Sequence, residues 1–378
     1  MNTRFPSSLS RPVALAAAAL ATALLATGPA QAAHGVAATA GQTDAAPSTR
    51  PLPVVASFSI LADLVKQVGG DRVAVESLVK AGGDTHVFQP GPAQVRQLSS
   101  ASLVVVNGLG FEGWMPRLIG SSGYKGPVVE AARGLQAMKA TDDHHHHDAD
   151  DDDHDHEGPH GHDHDHDGPH GHDHDEDGPH GHSHADHDHD EASHGHHHHH
   201  HGGLDPHAWQ DALNVRHYVA NIAEGLCQAA PADCGGFRER ARAYDQKLLE
   251  LDQEIHQAVD ATPTDRRRVM VSHAAFGYYG RAYHITFMAP VGISTEEEPS
   301  AAVVANLIRQ ARQQNVQAFF FENNSDPRLL KRMASELKNV TIGELYADSL
   351  SPANGPAADY LSMMRYNTRA ISQALSKK

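Results

Sequence analysis

Thiols are scarce in this chain: only Cys227 and Cys234 occur among 378 residues. A zinc site built on cysteine needs more thiols or a shorter spacing, so that class is excluded. The two lie seven positions apart, flanked by Pro231 and the Gly235-Gly236 pair, and read as one local disulfide in an oxidising compartment. Excess basic charge is also missing. The formal net charge is −17, but residues 142–201 alone carry 20 acids and no base, leaving 27 acids against 30 bases elsewhere. That balance offers no basic field for nucleic acid. A membrane-length apolar run is lacking too. The run from Val13 to Ala26 is too short and too rich in alanine for an anchor. With Arg4 and Arg11 before it and Ala30-Gln31-Ala32 after it, it reads as a secretory signal over residues 1–32, cleaved after about Ala32. No cysteine follows it, so lipid modification is not expected, and the mature protein is expected in a bacterial periplasm. Residues 33–50, rich in Ala, Thr and Gly, read as a flexible tether.

Histidine, by contrast, is abundant and concentrated. Residues 142–201 hold 25 of the 32 histidines, with 17 aspartates and three glutamates. Imidazole beside carboxylate is a ligand field for zinc, copper, nickel or cobalt. The unit Gly158-Pro159-His160-Gly161-His162-Asp163-His164 recurs from Gly168 and, less faithfully, from Gly178. Gly-Pro pairs, dense charge and a dearth of apolar side chains predict a disordered metal-binding loop over 142–203. A solvated acidic spacer would have no need of so many imidazoles. The strip ends directly upstream of Leu204-Asp205-Pro206-His207-Ala208-Trp209, an ordinary folded pattern.

Without leader, tether and strip, about 265 residues remain, enough for two α/β lobes. Continuous Val/Leu runs at Pro53–Ser57, Val73–Val79, Leu103–Val106 and Val128-Val129 suit strands covered on both faces. They alternate with helical patterns and make an N-terminal lobe over 51–235. Phe237, Ala241, Tyr244, Leu248, Leu251, Ile255 and Ala258 fall at spacings of four and three. They predict a linker helix over 236–262, with Thr262-Pro263 as its stop. A second lobe over 263–378 repeats the alternation, with strands at Arg268–Val271, Ile285–Met288, Ala318–Phe321 and Val340–Ile342. Ser300 and Asp326-Pro327 open helices there, and a terminal helix is expected from about Gly355. The fold class is therefore α/β: two lobes, each a mainly parallel sheet flanked by helices, joined by a long rigid helix.

Seven histidines lie outside the strip, and three stand at a strand end or in a turn. His86 lies in Gly82-Gly83-Asp84-Thr85-His86-Val87-Phe88-Gln89-Pro90, His207 in Asp205-Pro206-His207-Ala208-Trp209, and His273 just past the strand Val269–Ser272. Asp348, in Tyr346-Ala347-Asp348-Ser349-Leu350, has the same strand-then-loop setting. Open α/β sheets bind ligands beyond the carboxyl ends of their strands, so such loops can converge on one cleft.

These four segments, with Ile293-Ser294-Thr295, Glu298-Pro299-Ser300 and the strand Phe319 to Glu322, resemble the periplasmic zinc- and manganese-binding proteins of ABC importers. The zinc-uptake component with a histidine-rich loop is the nearest match, over essentially all of residues 51–378. Thr85 stands where that family usually has proline, and Gln89 where it has an acid. The resemblance implies that His86, His207, His273 and Asp348 ligate one metal ion, two from each lobe. It also implies a membrane permease with a cytoplasmic ATPase as partner, and no catalysis. A monomer that binds no nucleic acid is expected. Three imidazoles and one carboxylate form a compact N/O set that Zn2+ accepts without geometric penalty, whereas manganese prefers more oxygens. Zinc capture and delivery to an importer is the expected function. The alternatives are a manganese or iron importer component and a zinc-buffering chaperone. A zinc hydrolase is disfavoured, because by the resemblance Asp348 takes the fourth position and no His-Glu-x-x-His occurs outside the Gly-Pro-broken strip 142–201.

Overall fold

Branched aliphatic side chains suit a pleated surface covered on both faces, and the Val-rich runs do form strands. The structure is a computed structural model that describes residues 50–140 and 203–376. The expected signal, nearly all of the tether and the histidine-rich loop fall outside those residues. The first lobe runs β1 (Leu52–Phe58), α1 (Ser59–Gly69), β2 (Val73–Val79), α2 (Pro92–Ser99), β3 (Leu103–Val106), α3 (Met115–Ser122) and β4 (Val128–Glu130). Its strands are all parallel, in the order β2-β1-β3-β4. Then come α4 (Ala212–Ala229) and α5 (Cys234–Asp260). The second lobe runs β5 (Arg268–Val271), α6 (Gly277–Tyr283), β6 (Thr286–Met288), α7 (Ala301–Gln313), β7 (Ala318–Glu322), α8 (Arg328–Ser335), β8 (Thr341–Leu345) and α9 (Tyr360–Ser376). Its parallel order, β6-β5-β7-β8, repeats the first.

Every residue of β3 is buried, as strands with helices on both faces require. Burial of each such side chain stabilises by about 1.5–3 kcal/mol. One apolar core runs through both lobes, and a smaller one lies against the other face of the second sheet. Alternation along β5 divides them: Val269 and Val271 enter the larger core, Met270 the smaller. The α5 stripe is buried as expected, except that Val259 and not Ala258 completes it, four residues after Ile255. This helix packs on α1 and α4 on one side and on α9 and α6 on the other. Cys227, in the last turn of α4, and Cys234, which opens α5, are joined as a disulfide. Among the described residues, no helix is long and apolar enough to cross a membrane.

Three helix starts differ from the sequence expectation, the first being α5, which opens at Cys234, two residues before 236. Asp326 Oδ1 accepts from Arg328 N at 2.9 Å, but α8 opens only at Arg328, so Pro327, expected inside the first turn, holds the cap position expected for Asp326. The terminal helix α9 begins five residues late, at Tyr360. A turn closed by Ser351 N to Ala357 O and Ala357 N to Ser351 Oγ competes with helix over 351–357. Asp359 then supplies the cap, its Oδ1 accepting from Ser362 N.

Candidate metal centre

All four residues singled out in the sequence meet at the carboxyl ends of the strands. His86 follows β2, His273 follows β5 by two residues, and Asp348 follows β8 by three. His207 sits at the entrance to α4, behind a backbone stem: Ala140 N donates to Gly203 O at 2.8 Å and Asp205 N to Met138 O at 2.9 Å. One ligand-capable atom from each of the four lies within 4.8 Å of the others. Nε2 of His86, His207 and His273 stand 3.3, 3.6 and 3.2 Å from the Asp348 oxygens. His207 Nε2 is 3.3 Å from His86 Nε2 and 3.4 Å from His273 Nε2.

Buried carboxylates orient two of the rings. Oδ1 of Asp205 is 2.9 Å from both the backbone N and Nδ1 of His207. Oε2 of Glu322 is 2.7 Å from His273 Nδ1, and Oε1 accepts from the His273 backbone N–H. A carboxylate on Nδ1 takes the ring hydrogen there and leaves the Nε2 lone pair facing inward. Asp348 is fully buried, yet neither of its oxygens meets a hydrogen-bond donor among the described residues. Lone pairs therefore converge on one point out of water, an arrangement that a cation relieves.

Proton affinities follow the same field. Burial alone disfavours a charged ring at His273, but the Glu322 and Asp348 carboxylates outweigh it and hold its pKa well above the ordinary histidine value. Burial would likewise raise the Asp348 carboxyl, but the His273 and His207 imidazoles beside it hold it well below the usual carboxylate range. Protons and a metal thus compete for one site.

The β3–α3 turn builds the wall. Burial pushes Glu112 up to about 7. Its carboxylate accepts from Ser57 Oγ and Asn107 N, both at 2.6 Å. Asn107 Nδ2 donates to Pro206 O, next to His207, and Trp114 Nε1 to Thr85 O, next to His86. Phe111 meets the His86 and His207 rings edge-on, with centroids 4.9 and 5.8 Å away. The sequence reading had not singled out Asp205, Glu322 or this turn as functional. A signal for Asp205 was present, since an aspartate two residues before a ligand can reach both its backbone and its ring.

His217 and His284 are exposed, and His256 packs on Tyr283 beside Asp252. None joins the cluster.

Residues 54–374 match the family described as zinc-uptake complex component A, periplasmic. A manganese ABC transporter substrate-binding lipoprotein, PsaA of Streptococcus anginosus, is 26% identical over 90% of this chain and 94% of its own. The manganese-binding lipoprotein MntA of Halalkalibacterium halodurans is 25% identical over 86% and 89%. Among solved structures, the periplasmic zinc-binding protein TroA of Treponema pallidum superposes with a TM-score of 0.67 at 23% identity, over 87% of this chain and 100% of that one. The chain belongs to the zinc-uptake component A family, and it is a metal-binding solute-binding protein of an ABC transporter, not an enzyme.

Proposed function

We propose that the protein captures Zn2+ in the periplasm with His86, His207, His273 and Asp348, and hands it to the permease of an importer driven by a cytoplasmic ATPase. The observation that carries this reading is Asp348: a buried carboxylate with no hydrogen-bond donor among the described residues, faced by three imidazole nitrogens. Tetrahedral zinc with bonds of about 2.0–2.1 Å spaces its ligands at about 3.3–3.4 Å. Five of the inter-ligand distances here run from 3.2 to 3.6 Å. Zinc is thus cargo, held by closed four-fold coordination that leaves no position for substrate water.

A manganese reading has its own support. Asp348 turns Oδ2 toward His86 and His273 and Oδ1 toward His207, so both oxygens are within reach of one ion. That adds an oxygen ligand, and manganese favours oxygen and higher coordination. The relatives PsaA and MntA are manganese proteins by name. Uptake of labelled Zn2+ and Mn2+ by cells with and without this protein separates the two, since a site of nitrogen and oxygen donors binds Zn2+ more tightly than Mn2+ whichever ion is the cargo. Protein-dependent uptake of Zn2+ and not of Mn2+ is expected; protein-dependent uptake of Mn2+ alone would overturn the zinc assignment. The histidine-rich strip, on this reading, supplies weaker sites beside His207.

A further inference from the structure

Aspartate stands two residues before a proposed ligand twice, in Asp205-Pro206-His207 and in Asp84-Thr85-His86. The two aspartates do different things. Asp205 spends one oxygen on both the backbone and the ring of His207. Asp84 also takes the backbone, with Oδ1 2.9 Å from His86 N, but its other oxygen leaves the lobe. Asp84 Oδ2 accepts from the hydroxyl of Thr295 at 2.8 Å, across 211 residues of sequence, on the segment between β6 and α7. Among the described residues no carboxylate rests on His86 Nδ1, so this ring lacks the support that Asp205 and Glu322 provide elsewhere.

The rest of the His86 loop is held in the same direction. Gly82 takes a φ of +78°, which favours glycine, and its N–H donates to Ser349 Oγ, the neighbour of Asp348. His86 is therefore carried by the first lobe and aimed by the second. The two kinds of support also differ in their access to water. Asp205 and Glu322 are buried, whereas Asp84 and Thr295 are partly exposed. Water can replace a partly exposed hydrogen bond at little cost, but not a buried one.

We propose that Asp84 is a positioning residue that latches His86 to the second lobe through Thr295, and that opening this bridge is the step that frees one ligand when cargo leaves. The proposal rests on the four-residue site proposed above. It predicts that the bridge governs how fast metal departs and leaves the metal-free fold unaffected.

The test loads the full-length protein with one equivalent of zinc and follows release into an excess of chromophoric chelator. Thr295→Val removes the hydroxyl and keeps the shape, and about two- to ten-fold faster release is expected, the net scale of one hydrogen bond that water can reach. Thr295→Ser restores the hydroxyl and should restore the parent rate, with the melting temperature of the metal-free protein unchanged in both. Asp84→Asn combined with Thr295→Val should be no faster than the faster single variant, because both cut one bridge. Parent-like release from Thr295→Val, failure of Thr295→Ser to rescue, or multiplying effects in the double variant would each overturn the latch. His207→Ala separates the two levels of the argument. If it still binds zinc tightly, the four-residue site is wrong and the latch falls with it. If it loses zinc while Thr295→Val releases at the parent rate, the latch alone is wrong.

Discussion

The two lobes share a strand order but hold their proposed ligands by different means. In the second, His273 and Asp348 come two and three residues after β5 and β8, so parallel pairing holds the backbone almost up to the ligand. In the first, His86 lies seven residues past β2, and His207 sits in a turn behind the 138–140/203–205 stem. Side chains do the holding there: Asp205 and Asn107 for His207, Asp84 and Trp114 for His86. One lobe borrows precision from its sheet; the other assembles it from hydrogen bonds. Substitutions around the ligands should therefore be felt more in the first lobe.

The largest effects should ignore this contrast. Alanine at His207, His273 or Asp348 removes an atom of the proposed site itself, and tight zinc binding measured by competition with a chelator should be lost in each. Retention of tight binding in all three would break the comparison at its root. The supporting carboxylates sharpen it. Asp205→Asn and Glu322→Gln should each weaken zinc by about 10–100-fold, the usual effect of a group behind a ligating histidine. The Asp205 variant should suffer more, since β5 still carries His273 when Glu322 is changed. The reverse order would mean that the sheet does not provide the rigidity argued for.

Acidity should act through the second lobe. The folded-state pKa of His273 is raised, so its proton stabilises the metal-free protein fully below the unfolded value of about 6.5. That contribution is lost as pH rises through the raised value. Zinc displaces the same proton, so its affinity falls on acidification, and the fall begins above pH ~6.5. The rise in melting temperature on adding zinc should grow between about pH 6 and pH 8. A rise that stays constant across that range would remove His273 from the site. The smallest effect on metal should come from the disulfide. Replacing Cys227 and Cys234 by serine opens a short loop at the α4–α5 turn and should cost about 2–3 kcal/mol of stability in denaturant melts, with zinc affinity unchanged.

Sheets and the long helix were legible because their signals are local. Leu103-Val104-Val105-Val106 has only one comfortable conformation, and the α5 stripe repeats at the helical period over six turns. The last helix was legible but its start at Tyr360 was not, because the hydrogen bonds of Ser351 with Ala357 that delay it depend on a turn with no periodic signature. The four proposed ligands were legible through family resemblance and their strand-end placement. In the sequence Glu322 is only the end of a strand. That it faces His273 depends on β5 and β7 being neighbours, a pairing that no single segment encodes. Thr295 belongs to the Ile293-Ser294-Thr295 motif, but its bond to Asp84 appears only when the lobes are folded together.

The short stem at 138–140 and 203–205 gives the histidine-rich segment the character of a replaceable part. Because residues 138–140 and 203–205 are joined by backbone hydrogen bonds, the approach to His207 is fixed by the stem itself and not by the length or composition of the sequence between its two sides. The entropic cost of closing a loop grows only logarithmically with its length. A lineage facing scarcer or more plentiful metal can thus vary its histidines as an independent trait, and an experimenter can put a fluorescent reporter at the same joint.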